Sequence, residues 1–118
     1  LIAQMNKHAH SLDRGTSGVY SSPAPDWLHN PYVREALENR RSTTIDVLTD
    51  YDTEHGTQLL PTLEAFLLAG SQIASASEHL AVHRHTVRSR IRKIQALCGV
   101  DLTDPVVRAE LLLLVVSD

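Results

Sequence analysis

The sequence predicts an all-α fold, a small bundle of five or six helices containing a helix-turn-helix. Three observations predict it. Apolar residues recur at three- and four-residue spacing from residue 30 to the end, and no segment alternates with the two-residue period of a half-buried strand. Leu, Val, Ile and Ala make up most of the 42% hydrophobic content, with only 4% aromatic residues, a mixture that favours helices. Two asparagine- or aspartate-proline pairs, Asn30-Pro31 and Asp104-Pro105, have the order of an N-cap followed by a first helical residue.

Residues 1–29 precede the helical region. Ser11 to Pro25 is rich in Ser, Gly and Pro, residues that favour turns and offer little to bury. Leu1 to Leu12 could form a helix end belonging to something upstream. The start, Leu1-Ile2-Ala3-Gln4, has neither an initiator Met nor a signal-peptide layout. It reads as a cut, so residues 1–29 are expected to be a linker or remnant of an upstream domain. Residues 30–118 are then the folded unit, about the size of one modest core.

Asn30-Pro31 opens a first helix with Val33, Ala36 and Leu37 on one face, to about Arg40. Ser42 or Thr43 is expected to restart a second helix through Ile45, Leu48 and Tyr51, and Asp52 to Gly56 reads as a polar break. Leu59, Leu60, Leu63, Phe66 and Leu67 mark a third helix from about Thr57 to Ala69, stopped by Gly70, with Pro61 in its first turn. A short helix, Gln72 to Leu80, carries Ile73, Ala76 and Leu80. Ala81-Val82-His83 is a tight link to a longer helix, Arg84 to about Cys98, closed by Gly99. Asp104-Pro105 then starts a last helix to Val116.

The short and long helices joined by three residues have the layout of a helix-turn-helix. Val82 is expected to be the buried pin of the corner, with Ala74, Ala76 and Ser77 as the small residues at the crossing. Helical periodicity sends Val87, Ile91, Ile94 and Cys98 to one side of the long helix and His85, Arg88, Ser89, Arg92 and Lys93 to the other. From Arg84 to Lys93 there are four Arg, one Lys and no acid, in a chain whose formal net charge is −3. Such a local concentration has the electrostatics of a phosphate-binding surface. Arg suits bidentate contact with guanine edges. A solvated basic face is the plain alternative, and its place on the second helix of a helix-turn-helix favours DNA.

The string Leu80-Ala81-Val82-His83-Arg84-His85-Thr86-Val87-Arg88-Ser89-Arg90-Ile91-Arg92-Lys93-Ile94 resembles the C-terminal helix-turn-helix of the PucR family, the purine catabolism and sugar-diacid regulators. Tyr51-Asp52 with Leu59-Leu60-Pro61-Thr62-Leu63 on one side, and Gly99-Val100-Asp101-Leu102-Thr103-Asp104-Pro105 on the other, extend the likeness over residues 43–116. Ser77, His85, Ser89 and Pro61 depart from the residues usual there. The resemblance implies a Fis-like DNA-binding domain of a ligand-responsive bacterial regulator, with its sensor domain upstream and outside this chain.

The resulting expectation is sequence-specific binding of double-stranded DNA, with Arg84 to Cys98 in the major groove. Base reading is expected of His85, Arg88, Ser89 and Arg92. Phosphate contact is expected of His83, Arg84, Thr86, Arg90 and Lys93. A single helix-turn-helix spans few base pairs, so a homodimer is expected. The rival reading is a protein-interaction module whose basic helix docks an acidic partner.

No enzymatic role is expected, because no nucleophile elbow, P-loop or framed carboxylate pair is present. No cofactor or metal is expected either. His79 and His83 flank the corner instead of sharing a helix, and no Cys or carboxylate near them completes a ligand set. Asp46, Asp50, Asp52 and Glu54 read as a solvated acidic face. The single cysteine, Cys98, fits a reducing cytoplasm, and no apolar run approaches the roughly 18–20 residues of a membrane span. The last helix stands out, with eight Val or Leu among the twelve residues Pro105 to Val116. One core-facing stripe cannot hide them all, which points to a subunit or interdomain contact.

Overall fold

A computed structural model describes residues 25–117, and the expectations for Leu1 to Leu12 and for most of Ser11 to Pro25 lie outside them. The described chain is all-α. A short 3₁₀ turn, Asp26–His29, leads into α1, Pro31–Arg40. A π-helical turn, Arg41–Ile45, joins α1 to α2, Asp46–His55. Then come α3, Leu59–Leu68; α4, Ile73–Leu80; α5, Arg84–Cys98; and α6, Pro105–Ser117.

The caps read from the sequence are present. The Asn30 side chain accepts from the amides of Tyr32 and Val33 at 2.8 and 3.3 Å, and Pro31 takes the first helical position, where no amide hydrogen is needed. Asp104 does the same for α6, accepting from Val106 N at 2.9 Å ahead of Pro105. Between α5 and α6, Gly99 turns the chain at φ +65° and Val100 and Leu102 dip into the core. Gln95 Oε1 accepts the Leu102 amide at 2.8 Å and holds that loop down.

Two boundaries differ from expectation. The helix does not break at Arg40 and restart at Ser42 or Thr43. It runs on through the π turn, where the Asp46 amide reaches back five residues to the Arg41 carbonyl. Ser42 and Thr43 hydroxyls bond the Asn39 carbonyl, both at 3.0 Å. Hydroxyls that compete for helix carbonyls loosen a turn without ending it. Nor is Asp52 to Gly56 a break. α2 continues to His55, and Gly56, at φ +66°, is its stop.

The core is one cluster built from every helix after α1: Leu48, Leu59, Leu63, Phe66, Leu67, Ala76, Val87, Ile91, Ile94, Val100, Leu102, Leu111 and Leu114. Leu37 of α1 packs against its edge. α3 lies at the centre, in contact with α2, α4, α5 and α6, which fits its continuous apolar sequence. α6 packs on α3 and α1, and Arg40 meets Glu110 across the second of these contacts at 3.0 Å. No helix among the described residues is long and apolar enough to cross a membrane.

Candidate nucleic-acid interface

The corner between α4 and α5 is closed by backbone geometry. Ala81 adopts the left-handed conformation at φ +59°, its amide bonded to the Glu78 carbonyl, while Val82 N bonds back to Ser77 O at 3.1 Å. That pairing ends α4 and turns the chain sharply. Ala76 is fully buried at the crossing. Val82, expected to be buried, is half-buried, yet it packs against the core together with Ile73 and Leu80.

His83 starts α5. Its Nδ1 accepts the His85 amide at 3.0 Å, an N-cap made by an imidazole, and the two rings meet edge to face at 4.7 Å. In a neutral ring that accepts through Nδ1, the donor is Nε2–H, and the exposed His83 can offer it to an acceptor outside the protein.

α5 divides as its periodicity predicts. Val87, Ile91 and Ile94 are buried, and Leu97 and Cys98 half-buried. Burial pushes the Cys98 thiol up to about 11, and Cys98 Sγ lies 3.9 Å from the Thr44 carbonyl. On the other side, His85, Arg88, Ser89 and Arg92, the expected base readers, are all exposed. Of the expected phosphate contacts, His83, Arg84 and Lys93 are exposed and Thr86 is half-buried. Arg84, Arg88 and Arg92 make no ion pair among the described residues. Lys93 Nζ sits 5.5 Å from the centre of the Tyr51 ring, which stacks on His55 at 4.0 Å. This places the C-terminal end of α2 beside the basic face.

Arg90 is placed differently from its neighbours. It is half-buried, and its Nη1 donates to the Thr62 hydroxyl of α3 at 3.0 Å. Thr62 itself is fully buried.

Asp52, expected in a solvated acidic face, also has a different place. Asp46, Asp50 and Glu54 are exposed, but Asp52 is half-buried and caps α3 from the preceding helix. Its Oδ1 accepts the Leu59 amide and its Oδ2 the Leu60 amide, each at 2.8 Å, and Oδ1 also accepts from the Thr57 hydroxyl. Pro61 has no amide hydrogen, and Thr62 N begins the helical ladder on the Gln58 carbonyl at 3.2 Å, so Asp52 takes both amides that open α3. Burial opposes the charge of Asp52. The hydrogen bonds from Thr57, Leu60 and Leu59, and the positive charge of Arg90, outweigh it and hold the carboxyl below its ordinary value of 3.8.

A short helix braced across a tight corner against a longer one with an exposed basic face defines a helix-turn-helix DNA-binding domain. Comparison with known proteins makes the class specific. Residues 59–116 match the model of the PucR C-terminal helix-turn-helix domain, and this part of the chain belongs to that family. The chain is 39% identical over 62 residues to the proline-responsive transcriptional activator PutR of Bacillus subtilis, covering 52% of this chain and 15% of that protein. It is 32% identical over 59 residues to the DNA-binding transcriptional activator AdeR of the same organism, covering 50% of this chain and 14% of AdeR. An uncharacterized protein of Mycobacterium tuberculosis is 30% identical over 92 residues, 75% of this chain and 22% of the relative. The matches thus span less than a quarter of each relative's length. No solved structure matches the chain significantly.

Proposed function

We propose that this chain binds duplex DNA sequence-specifically, as the DNA-binding end of a ligand-responsive transcription regulator, with α5 in the major groove. The observation that carries the reading is the exposed face of α5. Arg84, His85, Arg88, Ser89, Arg92 and Lys93 lie there together, on the second helix of a helix-turn-helix, in a chain of net charge −3. Base edges fall to His85, Arg88, Ser89 and Arg92, and phosphates to His83, Arg84, Thr86 and Lys93. A sensor domain upstream supplies the ligand response; both named activators are several times longer than their matched segments.

The working unit in this reading is a homodimer, because one recognition helix spans too few base pairs for useful specificity. The apolar surplus of α6 supports it. Leu111 and Leu114 are buried, while Val106 remains 64% exposed and Leu112 37%. Selection of bound sequences from a random duplex pool tests the proposal. It predicts an enriched motif with two half-sites, whereas no enrichment over the starting pool contradicts sequence specificity.

A further inference from the structure

Arg90 sits among the cations of α5, and the expectation from sequence groups it with the phosphate contacts. Its surroundings say otherwise. The guanidinium donates to Thr62 Oγ1 at 3.0 Å, and that hydroxyl donates onward to the Gln58 carbonyl at 2.7 Å. Thr62 has no exposed surface, so this contact turns Arg90 away from the solvent face where Arg88 and Arg92 lie. The nearby Asp52 carboxylate feels the charge of Arg90 and in return offsets the field Arg90 would offer a phosphate. Asp52 is itself fixed by the first two amides of α3. Arg90 is therefore held by Thr62 of the central helix, within the field of that helix's cap.

The packing of α5 gives this tie a purpose. Val87, Ile91 and Ile94 decide which side of the helix is buried, but apolar contact is non-directional and leaves small rotations soft. A charge-assisted hydrogen bond is directional. Base reading requires side chains held to about half an ångström, so a rotation of α5 by a few degrees would spoil it.

Resting on the DNA-binding reading above, we propose that Arg90 is a positioning residue, which clamps α5 to α3 through Thr62 and so aims the basic face, and that it makes no phosphate contact. The chemistry separates the two roles. Losing a phosphate contact weakens binding to every sequence alike and lowers the salt slope by about one unit. Losing a positioning contact spares the slope and costs discrimination.

The test compares Arg90→Ala and Thr62→Val with the unmodified chain. Affinity is measured as a function of salt for a duplex selected from a random pool and for mixed-sequence duplex, with helicity checked by circular dichroism. Thr62→Val keeps the side chain's shape and removes the acceptor while leaving Arg90 intact. Both variants are expected to lose about tenfold of the selected-to-mixed affinity ratio with unchanged salt slopes. Should Arg90→Ala fail to fold, Thr62→Val carries the test by itself. A slope lowered by about one unit in Arg90→Ala, or full discrimination in Thr62→Val, overturns the assignment and leaves the DNA-binding reading standing. If the unmodified chain binds neither duplex even at low salt, the DNA-binding reading fails and this assignment falls with it.

Discussion

The Asp52 carboxylate, near the end of α2, accepts the amide of Leu59, seven residues on at the start of α3, at 2.8 Å. Cap and helix thus belong to different elements, and one side chain ties them together. Removing an N-cap costs about 1 kcal/mol, so Asp52→Ala is expected to lower stability by about that much in denaturant unfolding.

The same carboxylate predicts a pH dependence. Its native pKa lies below the ordinary value, so its stabilisation is fully present above the unfolded-state value of about 3.9 and is lost as pH falls through the lowered native one. Unfolding measured from neutral to acid pH should show stability falling in that window, and Asp52→Asn should flatten part of the fall. A shallower, residual dependence is expected from Asp101, whose carboxyl is also lowered by the Thr103 hydroxyl and amide. An Asp52→Asn profile superimposable on the unmodified one would show that the cap carries no charge-dependent stability.

Thr44 lies in the π turn with its hydroxyl fully buried and without a hydrogen-bond partner among the described residues. An unpartnered buried hydroxyl costs free energy that an isosteric methyl does not. Thr44→Val is therefore expected to be neutral or to stabilise by up to about 1 kcal/mol. A loss of more than that in thermal or denaturant unfolding would mean that the hydroxyl makes a bond the geometry does not show.

Ala81 closes the corner of the motif at φ +59°, where a Cβ is strained and glycine is not. Ala81→Gly should raise stability by about 0.5–1 kcal/mol, the relief exceeding the extra entropy of the unfolded chain. DNA affinity should be unchanged. A destabilised Ala81→Gly would argue that the turn does not hold this conformation.

How much was legible in the sequence depended on how local the signal was. Asn30-Pro31, Asp104-Pro105 and Gly99 act on their own helix ends, and each is where the sequence puts it. Val87, Ile91 and Ile94 are buried because helical periodicity alone selects them. Ser42 and Thr43 point in sequence to a helix restart, but their hydroxyls bond the Asn39 carbonyl instead, and nothing local says whether such competition ends a helix or widens it by one residue. Asp52 looked like one acid among four, since its partners are amides of another helix. Arg90 groups with the phosphate contacts by its charge and its place in the basic run, and nothing local shows that the Thr62 hydroxyl of α3 lies within its reach.

The central claim, that the exposed face of α5 is a DNA-binding surface, is tested most directly by duplex affinity as a function of salt for the unmodified chain, Arg88→Ala and Lys93→Ala. Two cations of that face assigned to phosphates, Arg84 and Lys93, predict a log–log slope of about −2 per protomer. Arg88→Ala should cost about 1–3 kcal/mol, concentrated at one position of a selected site, and Lys93→Ala should weaken all sequences alike while lowering the slope by about one unit. Duplex affinity that is absent at low salt, or that neither substitution changes, would contradict the account.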